Sequence, residues 1–204
     1  FEQVALLSGH AKADTASACE ASHVQLDVCD GQFVTSRTWH TPASWWNEQA
    51  FSLELHLMAM RPQETYVDWR EMPILKRVIW HIESPIDHEA FLTQVKQDGR
   101  EAGLAISPDT PLERLLPFVQ TIDHVLILGV HPGASGQRFL PQTIQRVAEA
   151  QRLLPNTHLG IDGGVNATTI HALHETYLGD YCINSALFQS EDPVSTFHTL
   201  SALL

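Results

Sequence analysis

The chain has 204 residues, of which 44% are hydrophobic and 18% charged, so one domain with a large core is expected and intrinsic disorder is excluded. Twelve Lys and Arg against 24 Asp and Glu leave a formal charge of −12, which denies nucleic acid a cationic footprint. An anionic ligand would have to be held by backbone N–H groups, helix N-termini or a metal.

In chain order, short β-rich runs alternate with longer amphipathic ones. The predicted strands are Gln3–Leu7, His23–Val28, Ser52–Met58, Arg77–Ile82, Ala102–Ile106, His124–Val130, His158–Ile161 and Tyr181–Ile183. The predicted helices are Ala11–Ala21, Pro42–Ala50, Pro62–Glu71, Pro85–Gln97, Pro111–Gln120, Pro141–Leu154, Ala167–Tyr177 and Pro193–Leu204. Proline stands at or near the start of most of these helices, where its missing N–H costs nothing. Thr110 and Asp192 precede Pro111 and Pro193 as candidate caps. Eight β/α pairs without a linker predict a single-domain (β/α)8 TIM barrel of short form over residues 1–204. An open doubly wound sheet is the competitor, but no G-x-G-x-x-G turn follows the first strand.

Nothing resembles a membrane span. The opening Phe1-Glu-Gln-Val4 has no basic stretch before an apolar one, so no secretory leader is expected. Three cysteines at irregular spacing suit a reducing cytoplasm better than a disulfide framework. Most of the twelve histidines, His124, His171, His174 and His198 among them, read as structural or solvent-facing residues at loop-like or helix-face positions. Trp39, Trp45 and Trp46 suggest either helix-to-barrel packing or an apolar interface of a homo-oligomer.

In such a barrel the chemistry gathers at the C-terminal strand ends. Gln25, Asp27 and Cys29 share one face of the second strand, Glu54, His56 and Met58 one face of the third, and His81 and Glu83 end the fourth. Asp162 ends the seventh and is followed by Gly163 and Gly164. Each residue alone reads as a hydrogen-bonded core group. Two aspartates and a histidine converging on one barrel mouth would bury unpaired charge unless a cation joined them, and carboxylate with imidazole suits Zn, Mn or Fe. The turns His131-Pro-Gly-Ala-Ser-Gly-Gln137 and Asp162-Gly-Gly-Val-Asn166, with Asn184-Ser185, form a candidate phosphate cradle.

These residues resemble the ribulose-phosphate 3-epimerase family from about Val24 to Phe188. Its His-x-Asp-Val-Met-Asp-Gly-x-Phe-Val motif is Gln25-Leu-Asp-Val-Cys-Asp-Gly-Gln-Phe-Val34 here. Its His-Leu-Met is His56-Leu-Met58, its His-x-Glu is His81-Ile-Glu83, and its Val-Asp-Gly-Gly is Ile161-Asp-Gly-Gly164. Gly103–Pro111 matches its fifth-strand segment, and its phosphate loop reads Pro132-Gly-Ala-Ser-Gly-Gln137. The resemblance implies one divalent metal (Zn, Mn, Fe or Mg) held by Asp27, His56, Asp162 and Gln25, the last a weaker amide ligand where the family has histidine. His23 lies too far back on its strand to substitute. Asp27 and Asp162 would exchange protons with C3 of a ketopentose phosphate, turning D-ribulose 5-phosphate into D-xylulose 5-phosphate through an enediolate. Ser8, His56, Gly133, Ala134, Ser135, Gly136, Gly163, Gly164, Asn184 and Ser185 would hold that small phosphorylated sugar. The alternatives are a phosphosugar binder without catalysis and an epimerase of another phosphorylated ketose. Decarboxylation or cleavage would need a lysine at the site, and Lys12, Lys76 and Lys96 all lie away from strand C-terminal ends.

Overall fold

Eight parallel strands close on themselves in the order β1 to β8: Glu2–Leu7, His23–Cys29, Ser52–Met58, Leu75–His81, Glu101–Ile106, His124–Leu128, His158–Asp162 and Asp180–Ile183. The computed structural model describes residues 2–7, 21–38, 42, 46, 48–173, 176 and 178–204. The expected helix Ala11–Ala21 lies outside them except for Ala21, as do residues 43–45 and 47 of the expected helix Pro42–Ala50, His174, Tyr177, Trp39, Trp45 and Ser8. β1 pairs with β2 and again with β8, Val4 standing opposite His23 and Glu2 opposite Asp180. Observed strand boundaries differ from expectation by two residues at most.

Around the barrel run α1 (Pro62–Tyr66), α2 (His88–Gln97), a 3-10 helix (Leu112–Phe118), α3 (Gln142–Leu153), α4 (Ala167–Leu173), α5 (Ser185–Phe188) and α6 (Pro193–Ser201). α2 begins after Asp87 rather than at Pro85, because the Asp87 carboxylate accepts the Ala90 N–H at 3.0 Å and stays outside the helix as its cap. Asp192 does the same for α6, accepting Ser195 N–H at 3.1 Å. Thr110 makes no such cap. Where an α-helix was expected over Pro111–Gln120, the chain forms a tighter 3-10 turn containing Pro117, whose missing N–H cannot serve an α ladder. α1 ends at Tyr66 and continues only as turns.

The larger core lies between barrel and helices. Trp46, Tyr66, Trp69 and Trp80 are fully buried there among the outward-facing Leu53, Leu55, Leu57, Leu104 and Ile127. A buried side chain of this size contributes about 1.5–3 kcal/mol. Inside the barrel the apolar filling is small: Ile79, Ala105, Leu126, Leu128 and Cys182. Among the described residues, the buried polar side chains of the interior fall into two groups, one at each end.

At the N-terminal end, a register shift between Leu53 and Glu54 skips Lys76 and sets Arg77 opposite Glu54. Arg77 donates to Glu54 at 2.8 Å, Asp180 at 2.7 Å and Glu101 at 2.8 Å. His124 is a correction to the sequence reading. It is neither loop-like nor on a helix face but opens β6 pointing inward, fully buried beside Asp180. No helix among the described residues is long and apolar enough to cross a membrane.

Candidate active site

The C-terminal ends of β2, β3, β4 and β7 bring their polar residues to one place because inward positions recur every second residue. His56 Nδ1 lies 2.9 Å from Asp27 Oδ1 and 3.5 Å from Asp162 Oδ2. His56 is fully buried, Asp162 nearly so, and the Asp27 side chain is 27% exposed. Asp27 and Asp162 also line a cavity of about 300 Å³ that opens at this end of the barrel.

Behind His56 stands a relay that the sequence analysis assigned no role. His56 Nε2 is 3.0 Å from His81 Nε2, the two rings stack with centroids 5.1 Å apart, and His81 Nδ1 is 3.0 Å from Glu83 Oε2. Glu83 also accepts the Ser107 N–H at 3.0 Å. The partners decide the tautomers. Glu83 requires an N–H on His81 Nδ1, so His81 Nε2 accepts and His56 Nε2 donates. A neutral His56 therefore turns the Nδ1 lone pair toward the two aspartates. The His-x-Glu spacing at the end of β4 was the available signal.

Electrostatics divide the relay. Burial disfavours charge on His56, but hydrogen bonds and attraction from Asp162 and Asp27 outweigh it and raise its pKa to about 10. Burial prevails at His81, lowered to about 4. Glu83 is buried as well, yet the donors His81, Thr110 and Ser107 bring it down to about 2. Asp162 is raised by burial and by Asp27. Two carboxylates thus face each other across an imidazole that supplies the positive charge they lack.

Gln25 is fully buried between them. Its Nε2 donates to Asp27 Oδ1 at 3.0 Å and Asp162 Oδ2 at 3.2 Å, while its Oε1 accepts the Cys182 thiol at 3.0 Å. In this orientation Gln25 is a donor to the carboxylates, and ligation would need the amide to turn over. His23 sits at the start of β2 with Nδ1 on Ser22 Oγ at 3.0 Å, apart from this group. Burial and Asp27 push the Cys29 thiol up to about 12, so it stays protonated against Met58, 3.9 Å away. One ligand atom each from Asp27, His56 and Asp162 lies within 4.8 Å of the others, and a carboxylate–carboxylate–imidazole set fits a divalent metal.

Loops complete the cavity. Asp30 folds the loop after β2 by accepting the N–H groups of Gln32 (2.7 Å), Phe33 (2.8 Å) and Met60 (2.8 Å). Thr38 returns that loop to its strand, accepting Cys29 N–H and donating to Asp27 C=O, each at 2.8 Å. At its tip Ser36 donates to the Gly133 carbonyl, joining it to the loop after β6. The structure brings Gly133, Ala134, Ser135, Gly136, Gly163, Gly164, Asn184 and Ser185 to this cavity, and among the described residues no Lys or Arg lines it. Gly164 has φ +71°, and a Cβ there would meet the Phe139 backbone at 2.8 Å, so only glycine serves. α4 is capped by its own Asn166, which takes the Thr168 and Thr169 N–H groups. The start of α5 has no side-chain cap, and Asn184 Nδ2 instead reaches Ser135 Oγ at 3.2 Å.

The Ribulose-phosphate 3 epimerase family model matches residues 5–188. A ribulose-phosphate 3-epimerase of Schizosaccharomyces pombe is 30% identical over 176 residues, covering 83% of this chain and 76% of that one. The cytoplasmic isoform of Oryza sativa is 27% identical, covering 90% and 82%. Among solved structures, 3-hexulose-6-phosphate synthase from Salmonella typhimurium superposes with a TM-score of 0.73 at 12% identity, covering 100% of this chain and 98% of that one. That likeness concerns the barrel alone.

Proposed function

The chain belongs to the ribulose-phosphate 3-epimerase family and is an isomerase of that class; from that premise we propose that it inverts C3 of D-ribulose 5-phosphate to give D-xylulose 5-phosphate. The observation that carries this reading is the pair of carboxylates, Asp27 from β2 and Asp162 from β7, lining one cavity. Inverting a carbon beside a ketone needs a proton removed from one face and returned to the other, and two opposed carboxylates do this without either migrating. Asp162, raised by burial and by Asp27, is suited to holding a proton between the two transfers.

Asp27, His56 through Nδ1, and Asp162 would hold the divalent metal (Zn, Mn, Fe or Mg), with Gln25 beside them. Bound there, it supplies Lewis-acid stabilisation of negative charge on substrate oxygens. His81 and Glu83 keep the His56 ring oriented. With no lysine or arginine among the described residues of the cavity wall, the phosphate falls to backbone N–H groups of the glycine loops and to Ser135, Asn184 and Ser185. Binding this remote group positions C3. Cytoplasmic residence is part of the proposal, supported by two free, buried cysteines and by the Oryza relative's printed name.

Ribulose 5-phosphate in D2O, followed by NMR with metal-stripped protein and with each metal restored, tests the reading. Deuterium at C3 together with xylulose 5-phosphate is expected. Sugar phosphate that binds but neither exchanges nor epimerises with any metal would leave a binder, the arrangement that the Gln25 bridge between the carboxylates favours.

A further inference from the structure

The opposite end of the barrel carries a second convergence that the reaction does not use. His124 Nε2 lies 3.1 Å from Asp180 Oδ2, and His158 Nε2 lies 3.0 Å from Asp180 Oδ1. The two rings are tilted by 37° with centroids 5.3 Å apart. One ligand atom from each of the three residues lies within 4.8 Å of the others.

Close as they are, His124 and Asp180 are not fully satisfied by these contacts. His124 is fully buried, yet neither of its ring nitrogens makes an aligned hydrogen bond among the described residues, and neither does Asp180 Oδ1. Arg77 engages only the other oxygen, Oδ2. The backbone leaves space for both rings: a Cβ on Gly160 would come within 2.8 Å of His124 Nε2, and one on Gly179 within 2.3 Å of His158 Nε2. Buried Glu54 and Asp180 share the guanidinium of Arg77.

We propose that His124, His158 and Asp180 form a second metal site, at the barrel floor, for a divalent cation of the zinc class. Two imidazoles and one carboxylate are a zinc-type donor set. Zinc–ligand bonds of about 2.0–2.2 Å place tetrahedral ligand atoms about 3.3–3.6 Å apart, a few tenths of an ångström beyond the 3.0 Å between His158 Nε2 and Asp180 Oδ1. Asp180 binds through Oδ1 while Oδ2 stays with Arg77. The fourth position faces the solvent that reaches His158, whose side chain is 41% exposed. The site ties β6, β7 and β8 together and so serves stability.

Zinc stoichiometry tests this. Metal-free protein is loaded with Zn2+, gel-filtered and analysed by mass spectrometry, alongside His158→Ala and His56→Asn. His158→Ala should bind one zinc fewer than the parent and keep its epimerase activity. Zinc should still raise the Tm of His56→Asn, and should raise that of His158→Ala by less than that of the parent. Equal zinc in His158→Ala and the parent would overturn the proposal. Zinc-soaked crystals of the unaltered protein give a reading that needs no variant. An anomalous peak bonded to His124 Nε2, His158 Nε2 and Asp180 Oδ1 is expected. Density only beside Asp27, His56 and Asp162, or nowhere, would overturn it.

Discussion

The two ends of this barrel are built from the same kinds of side chain and are balanced differently. At the floor an arginine is fixed among the carboxylates: Arg77 reaches Glu54, Glu101 and Asp180 within 2.8 Å. At the mouth no arginine or lysine among the described residues lines the cavity, and Asp27 and Asp162 depend on the His56 imidazole and the Gln25 amide. A permanent cation rigidifies and holds strands in register. A titratable one leaves carboxylates able to exchange protons and to bind a further cation. The contrast separates a region arranged for stability from one arranged for reactivity, and substitutions can test the division.

The largest effect is expected at the mouth. Asp27→Asn or Asp162→Asn should each lower kcat by about 10²–10⁴-fold, the usual worth of one general acid–base group, with Tm unchanged or raised because like charge is relieved. Steady-state kinetics beside thermal melts would show it, and a large fall in Tm at equal kcat would reverse the roles assigned to the two ends. Next comes Arg77→Met. Removing one partner of a buried ion network costs about 3–5 kcal/mol, to be read from urea unfolding, while kcat per folded molecule should hold.

A smaller loss is expected from Glu83→Gln, which frees His81 to take the other tautomer and so weakens the orientation of His56. Roughly 10–100-fold in activity or metal affinity is typical of such an outer partner. The zinc-binding curve should shift together with kcat, which a merely structural role would not produce. Smallest is Asp30→Ala, about 1–3 kcal/mol for the three backbone N–H groups left without their acceptor.

Asp30 also carries a pH dependence of known sign. Burial alone would raise its pKa, but the N–H groups of Phe33, Gln32 and Met60 lower it below the ordinary carboxylate value. Its contribution is therefore complete above the unfolded-state value of about 3.9 and is lost as pH falls through the lower folded value. Urea midpoints between pH 5 and 2.5 should fall more steeply for the parent than for Asp30→Ala.

Strand parity made much of the mouth legible. Asp27, His56 and Asp162 end three strands at inward positions, and period-two alternation alone groups them. The eight-strand rhythm was equally readable, since parallel strands buried on both faces are near-continuous apolar runs. The floor was not. Its members, Glu54, Arg77, His124, His158 and Asp180, come from five strands, and their meeting depends on the barrel's stagger and on the register shift at Leu53 and Glu54, neither of which has a sequence signature. His124 was misread for the same reason: a polar residue opening a strand looks like the loop before it. Likewise, the donor orientation of Gln25 is set by Cys182, 157 residues further on.

The seam between β1 and β8 has a consequence for how the protein is made. Residues 2–7 find their second partner only in residues 180–183, a contact of very high sequence separation, which slows folding. At about 5–20 residues per second, translating the intervening stretch takes roughly 10–35 s, during which β1 presents an unpaired edge. A ribosome stalled anywhere before Asp180 would hold out an open sheet, a template for aggregation that the finished barrel does not offer.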